Sequence, residues 1–395
     1  MTLPSPHGRL ALATLLAFGL TLALLLLVNG DPLPAPEPAR APLEGPTGRT
    51  PGPTDAQIAR LQAELRADPG ASGGQLATAY LQKARETGDA AFYARAERLL
   101  RQAAERAPRD PGVLVGQGTL ALARHDFAAA LTLARRAHRL APGTLAPYPV
   151  LVDALVELGR YGEAQRELQR MVDLKPSLPA YARISYFREL HGDLPGAADA
   201  MALAVSAGGA APEAVAFARS QLGDLELARG RLAAAHSAFA GALAAVPGYV
   251  PALAGQARLA ARRGELGSAI RAWRRIVARL PLPEHVVGLA EAELAAGRLA
   301  AGRRDLALVR AQKRLLGGAG VNTDVELAVF EADHGSPRRA LAMARRAWAS
   351  APSVRSADAL GWALVRSGRP REGLAWARQA LRLGSVDASF LAHAG

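Results

Sequence analysis

The chain has 395 residues, half of them hydrophobic, with 39 Gly, 27 Pro and a formal net charge of +13. It has no Cys, which removes disulfides, thiolate metal sites, cysteine nucleophiles and a lipid-bearing cysteine together. Lys occurs only at Lys83, Lys175 and Lys313, and the many Arg residues do not cluster with aromatics, so the positive charge reads as a solvated face and argues against nucleic-acid binding.

In chain order, residues 1–9 form a short tip ending in Arg9, and Leu10 to Val28 is an uncharged apolar run of 19 residues. About 20 such residues cross a bilayer as a helix. No Lys or Arg follows until Arg40, so the positive-inside rule puts the tip in the cytoplasm and everything after Gly30 outside. A signal h-region is about 7 to 15 residues, so an uncleaved single-pass anchor is the expectation. Cleavage near Val28-Asn29-Gly30 is the alternative and makes the protein secreted. Residues 31–53 hold eight Pro in 23 positions, which forces extended backbone and predicts a semi-rigid stalk. Its reach is at most about 70 Å. Residues 54–68 read as one helix, with Thr54 and Gln57 as a capping box and Ile58, Leu61 and Leu65 as its apolar stripe. A lone helix with one apolar face fits best as the cover of the folded segment after it.

From Gly74 a unit recurs. AFARSQLGDLELARGRLAAAHSAFAGALAAVP from Ala216 is followed by ALAGQARLAARRGELGSAIRAWRRIVARLP, with Gly230 and Gly264 34 residues apart. Each copy reads as a helix stopping at Arg-Gly and a second helix that opens on a small residue, carries an aromatic (Phe239, Trp273) and halts at Pro247 or Pro281. The mid-unit turn falls at Gly88, His125, Gly159, Gly192, Gly230, Gly264, Gly297, Gly335 and Gly368, giving nine units over 74–387. Residues 388–395 start the first helix of an incomplete tenth unit, an ending that predicts an exposed apolar surface. The second helix opens on Ala96, Ala130, Ala164, Ala197, Ala235, Ala269, Gly302, Ala340 and Gly373, small enough for two antiparallel helices to approach closely. Leu168, Phe239, Trp273 and Leu306 then fill the space between one pair and the next. Two joints are long, at 206–212 and 315–324; both are Gly-rich and read as slack in a surface loop, with a hinge or a partner-binding loop as the alternative.

The agreement of these positions in most copies resembles the tetratricopeptide repeat family. That resemblance implies an all-α fold, a right-handed superhelical α-solenoid of about nine helix-turn-helix units, here preceded by one transmembrane helix. It also implies that first helices line a concave groove that binds a protein or peptide segment. Carried onto this chain, the inward positions are Val115, Thr119, Asp153, Val156, Tyr186, Phe217, Asp224, Arg258, Arg262, Val287, Glu291, Val325, Val329 and Trp362. Any one of them either faces the groove or packs between units. The Lys and Asn that form the family's clamp for a C-terminal carboxylate are replaced by residues such as Val115, Thr119, Pro149 and Asp153, so that function does not carry over.

Nothing in the sequence points to an enzyme, a cofactor or a metal. The His residues share no i, i+4 pair, no Gly-rich stretch leads into Lys-Ser/Thr, and Asp153, Glu157, Glu189, Asp224 and Glu291 read as solvated groove residues, not as a closed carboxylate pair. The expected protein is a membrane-anchored, extracytoplasmic scaffold of unassigned oligomeric state that binds a protein segment in its groove, in envelope assembly, secretion or maturation. The alternative is an Arg-rich element that holds anionic polymer or lipid through second helices, using residues such as Arg271, Arg274, Arg275, Arg303, Arg304, Arg338 and Arg339.

Overall fold

A computed structural model describes residues 53–68, 73–87, 89–209, 211–318 and 320–395. The expected tip (1–9), membrane span (10–28), all but the last residue of the stalk (31–53) and the first turn glycine, Gly88, lie outside the described residues. Among the described residues there are twenty α-helices and no strands, and no helix is long and apolar enough to cross a membrane. They are α1 (Pro53–Ala67), α2 (Gly73–Thr87), α3 (Ala91–Arg106), α4 (Pro111–Ala123), α5 (Phe127–Leu140), α6 (Pro147–Glu157), α7 (Tyr161–Leu174), α8 (Leu178–Leu190), α9 (Leu194–Ala207) and α10 (Pro212–Ala228). There follow α11 (Leu232–Ala245), α12 (Val250–Arg262), α13 (Leu266–Arg279), α14 (Pro283–Ala295), α15 (Leu299–Gly318), α16 (Asp324–His334), α17 (Pro337–Ser350), α18 (Val354–Arg366), α19 (Pro370–Ala380) and α20 (Ala388–Ala394). From α2 to α19 they form nine antiparallel pairs.

Local chemistry sets the boundaries. The Asp110 carboxylate accepts from the Val113 N–H at 3.0 Å and Pro111 takes the first position of α4, where a missing N–H costs nothing. α3, α5, α7, α11, α13 and α17 each end two residues before a proline, because the residue preceding proline is pushed out of helical backbone. The small residues opening the second helices, Ala96, Ala130, Ala164, Ala197, Ala235, Ala269 and Ala340, are fully buried. Phe239 is wedged between Gly223 on α10 and Gly255 on α12, and a side-chain carbon on either glycine would collide with its ring. Trp273 sits the same way against Gly288 on α14. First helices of successive units pack on one another while second helices fan apart, so first helices form the inside of the curve.

Both ends of the array are covered. α1 buries Leu61 against Leu76, Tyr80 and Leu81, the expected cover for the first unit. Thr54, however, lies inside α1 and its hydroxyl donates to Glu86 on α2, so it makes no capping box. At the other end α20 packs on α18 and α19, buries Phe390, and sets His393 2.9 Å from Asp358. The apolar surface expected there is reduced to single residues, chiefly Leu391 and Val386, because this short helix itself covers the ninth pair.

The array curves tightly enough to meet itself. The Asn322 N–H donates to the Arg124 carbonyl at 2.9 Å, and the Val354 N–H donates to the Tyr161 hydroxyl at 2.9 Å. These partners are 193 to 198 residues apart, about six units of 34. The turns of units two, three and four thus dock on the joints six units later. Val321, within the long 315–324 joint, packs with Leu120 and Ala123. The 206–212 joint leads into Glu213, which accepts from the Gln82 amide at 2.7 Å. The second joint is shorter than expected, because α15 continues to Gly318, and it is not slack, since Val321 and Asn322 contact the turn of unit two.

Candidate functional site

This seam encloses a cavity of about 60 Å³, lined from one side by Leu122, His125, Phe127, Asp153, Glu157 and Tyr186, and from the other by Asn322, Val325, Glu326, Ser350, Ser353 and Arg355. One ordered water needs ~10–15 Å³, so the space is large enough to be hydrated.

The residues reach the cavity for local reasons. His125 holds the only positive φ of a non-glycine residue described, +58°, in the position where most units have glycine. The ring explains the exception, since its Nδ1 lies 2.7 Å from the Asn322 carbonyl and 4.0 Å from a Glu326 oxygen. Asp153 and Glu157 are one turn apart on α6 and share a face. Asp153 is held bidentately by Arg183 on α8, at 2.8 and 2.7 Å. Glu157 accepts from the Tyr186 hydroxyl at 3.2 Å, and Arg355 reaches across the seam to 3.7 Å from Glu157 and 3.5 Å from that hydroxyl.

Burial dominates the electrostatics. It pushes the Asp153 carboxyl up although Arg183 opposes the shift, and does the same at Asp224, which Arg258 holds at 2.6 Å. The Tyr161 hydroxyl is pushed up to about 12, and that of Tyr186 well above the usual phenol value, again by burial first. Burial alone would lower Arg355, but Tyr186, Glu157 and Glu326 around it outweigh burial and raise it. One guanidinium therefore serves two carboxylates that come from opposite sides of the seam.

The wall expected to be open is mostly closed. Of the fourteen inward positions, Val115, Thr119, Val156, Tyr186, Phe217, Arg258, Val287, Glu291 and Val329 are buried; Asp153, Asp224, Val325 and Trp362 are partly buried; only Arg262 is exposed. A tight curve is the reason, because it presses first helices together and brings α2 against α10. Phe217 belongs to the core between helices, and Trp362 stacks on His393 at 4.5 Å and donates to Asp333 at 2.9 Å near the end of the array. The structure brings Asp153, Tyr186 and Val325 together at the cavity and leaves the others distributed along the inside. Arg355, Glu326 and His125 were not among the expected positions. Glu157 was noticed only as a groove carboxylate. The conspicuous signal was His125, a bulky residue where the period demands glycine.

Tetratricopeptide repeat family models match residues 121–185 and residues 81–143 and 220–281. No curated protein matches the sequence. Among solved structures, a human IFIT1 dimer with m7Gppp-AAAA is similar over 84% of this chain and 77% of its own, at 14% identity and TM-score 0.50. A tetratricopeptide repeat protein from Parabacteroides merdae is similar over 62% of this chain and 97% of its own, at 16% identity and TM-score 0.45. A thermophilic protein of the same repeat type from Thermus thermophilus is 22% identical over 52% of this chain and 97% of its own, with TM-score 0.39. At these identities the likeness concerns the fold alone.

Proposed function

Since the chain belongs to the tetratricopeptide repeat family, whose arrays serve in general as protein-binding scaffolds, we propose that it is a membrane-anchored scaffold without catalytic activity. Residues 10–28 hold it as a single-pass anchor, and the array stands on the extracytoplasmic side, tethered to the bilayer through the Pro-rich stretch. It grips a protein segment on the inside of its curve, at and beside the seam. The observation that carries this reading is the convergence of Arg355, Glu157, Glu326, His125 and Tyr186 on one cavity between two turns of the array. Charged groups held in a partly desolvated cleft select a partner by complementary charge, and aromatic rings beside them add contact area at little entropic cost.

The test is site-specific photo-crosslinking in intact cells. Tyr186 is 3% exposed, which makes it a poor site for a probe. Glu326 at the cavity and exposed Arg262 are the inner sites of choice, with Arg274 as the outer control. Discrete protein adducts from the inner sites and none from Arg274 are expected. Adducts from Arg274 alone would remove the inner face from the account. Detection of an intact 10–28 segment in the mature protein supports the anchor; its absence supports a secreted array.

A further inference from the structure

We propose that the outer face of units seven to nine is a docking surface for an anionic lipid membrane. The inference stands on the second helices alone and does not depend on the inner site or on residues 10–28.

The outer layer is uneven in charge. α9 and α11 contain no Lys or Arg, whereas α15, α17 and α19 carry Arg303, Arg304, Arg338, Arg345, Arg371 and Arg378 exposed on their surfaces. Acidic residues on these three helices are only Asp305 and Glu372. Some basic residues nearby are spoken for, since Arg346 pairs with Asp324 at 2.6 Å and Arg369 with Glu372. The excess remains strongly positive. The excess is not confined to these units, since α13 also carries Arg271, Arg274, Arg275 and Arg279 exposed with no acidic residue on the helix, and α5 carries Arg136 and Arg139. It is interrupted at α9 and α11, and units seven to nine are the stretch that combines it with three exposed leucines.

Leucines decide between a lipid surface and a dissolved polyanion. Leu299, Leu308 and Leu374 are 52%, 46% and 44% exposed on the same helices. Leu299 is four residues before Arg303, Leu308 four after Arg304, and Leu374 four before Arg378, so each leucine shares a helix face with an arginine. A dissolved polyanion gains from the arginines and nothing from the leucines. The boundary between headgroups and acyl chains takes both, with guanidinium groups at the phosphates and apolar side chains just below them. Curvature limits the footprint. With about six units to a turn, each unit rotates the outer face by roughly 60°, so a flat bilayer meets one unit squarely and only the near edges of its two neighbours. α15, α17 and α19 are such a set, with α17 at its centre.

The absence of Cys allows a local test in the full chain. Leu203 on α9 occupies the same place in its unit as Leu308, six residues after the small opening residue, and is 51% exposed with no basic residue on its helix. A polarity-sensitive fluorophore is attached at Leu308→Cys or at Leu203→Cys. Each protein is mixed with vesicles of phosphatidylcholine, with or without phosphatidylglycerol. The expected result is a blue shift from position 308 only with phosphatidylglycerol, and none from 203. Adding Arg303→Gln, Arg304→Gln and Arg345→Gln, all exposed and so harmless to the fold, should raise the lipid needed for half the shift by about tenfold or more. Raising salt should have the same sense. No shift from 308, or equal shifts from both positions, would overturn the proposal. So would a shift produced by polyphosphate and not by vesicles, which would assign the face to a soluble polyanion.

Discussion

Gly159 and Gly192, in the turns of units three and four, share a backbone with Gly230 and Gly264 in units five and six: φ lies between 69° and 80° at all four. What differs is the space around them. A side-chain carbon at Gly230 or Gly264 would meet nothing, whereas at Gly159 it would run into the Pro352 carbonyl and at Gly192 into that of Gly384. In the first pair the residue type is set twice, by the left-handed turn that ends the first helix and by the joint that lies against it. In the second pair it is set once. Turns that look alike in sequence therefore divide into those that only reverse the chain and those that also close it.

The sharpest way to break the comparison is Gly159→Ala. It incurs the left-handed penalty and must also push the Pro352 carbonyl aside, and we expect a loss on the order of 3 kcal/mol. Denaturant unfolding measures it. Gly230→Ala incurs the first penalty alone, about 1–2 kcal/mol, and should leave the seam intact. If the two variants lose the same amount, with the same exchange behaviour at the seam, the joint does not bear on the turn.

How much of this was legible beforehand depends on which contacts are local. Turn glycines, the buried small residues and the wedges Phe239 and Trp273 lie within one or two units of their partners, so a period of 34 exposes them. Closure joins residues some 193 apart, and no periodicity marks it. Gly159 and Gly230 are indistinguishable in sequence. The long 315–324 joint and His125 in a glycine position were the visible traces, and neither has a meaning in sequence until Val321 and the ring of His125 are placed. For the same reason the inner positions, which lie on first helices, were expected in an open groove, since openness depends on how tightly units stack.

Smaller effects sharpen the comparison further. Tyr161→Phe removes the acceptor of the Val354 N–H and nothing from the fold of its own unit. A loss of about 1 kcal/mol is expected, together with faster exchange of that amide. A pH effect should appear where unit four meets the last joint. Burial first, with Asp387 and Asp224 after it, raises the Glu189 carboxyl to about 8. A carboxyl raised in the fold keeps its proton where the unfolded chain has lost it. The stability it contributes is complete below 4.5, its ordinary value, and is lost as pH rises through about 8. His393 acts in the same sense. Burial alone would lower its imidazole, but Asp358 outweighs burial and raises it, so its contribution too fades as pH rises past that raised value. The melting temperature should fall across this window, and Glu189→Gln should flatten the fall. An unchanged slope would remove Glu189 from the account.

Closure of the array on itself is tested most directly by amide hydrogen exchange at Asn322 and Val354. Neither N–H has a partner within its own unit's helices; their acceptors, the Arg124 carbonyl and the Tyr161 hydroxyl, lie across the seam. The account predicts that both exchange as slowly as amides inside α16 and α18. Exchange at the rate of exposed loop amides would mean that the turns do not meet, and the cavity between them would go with the seam.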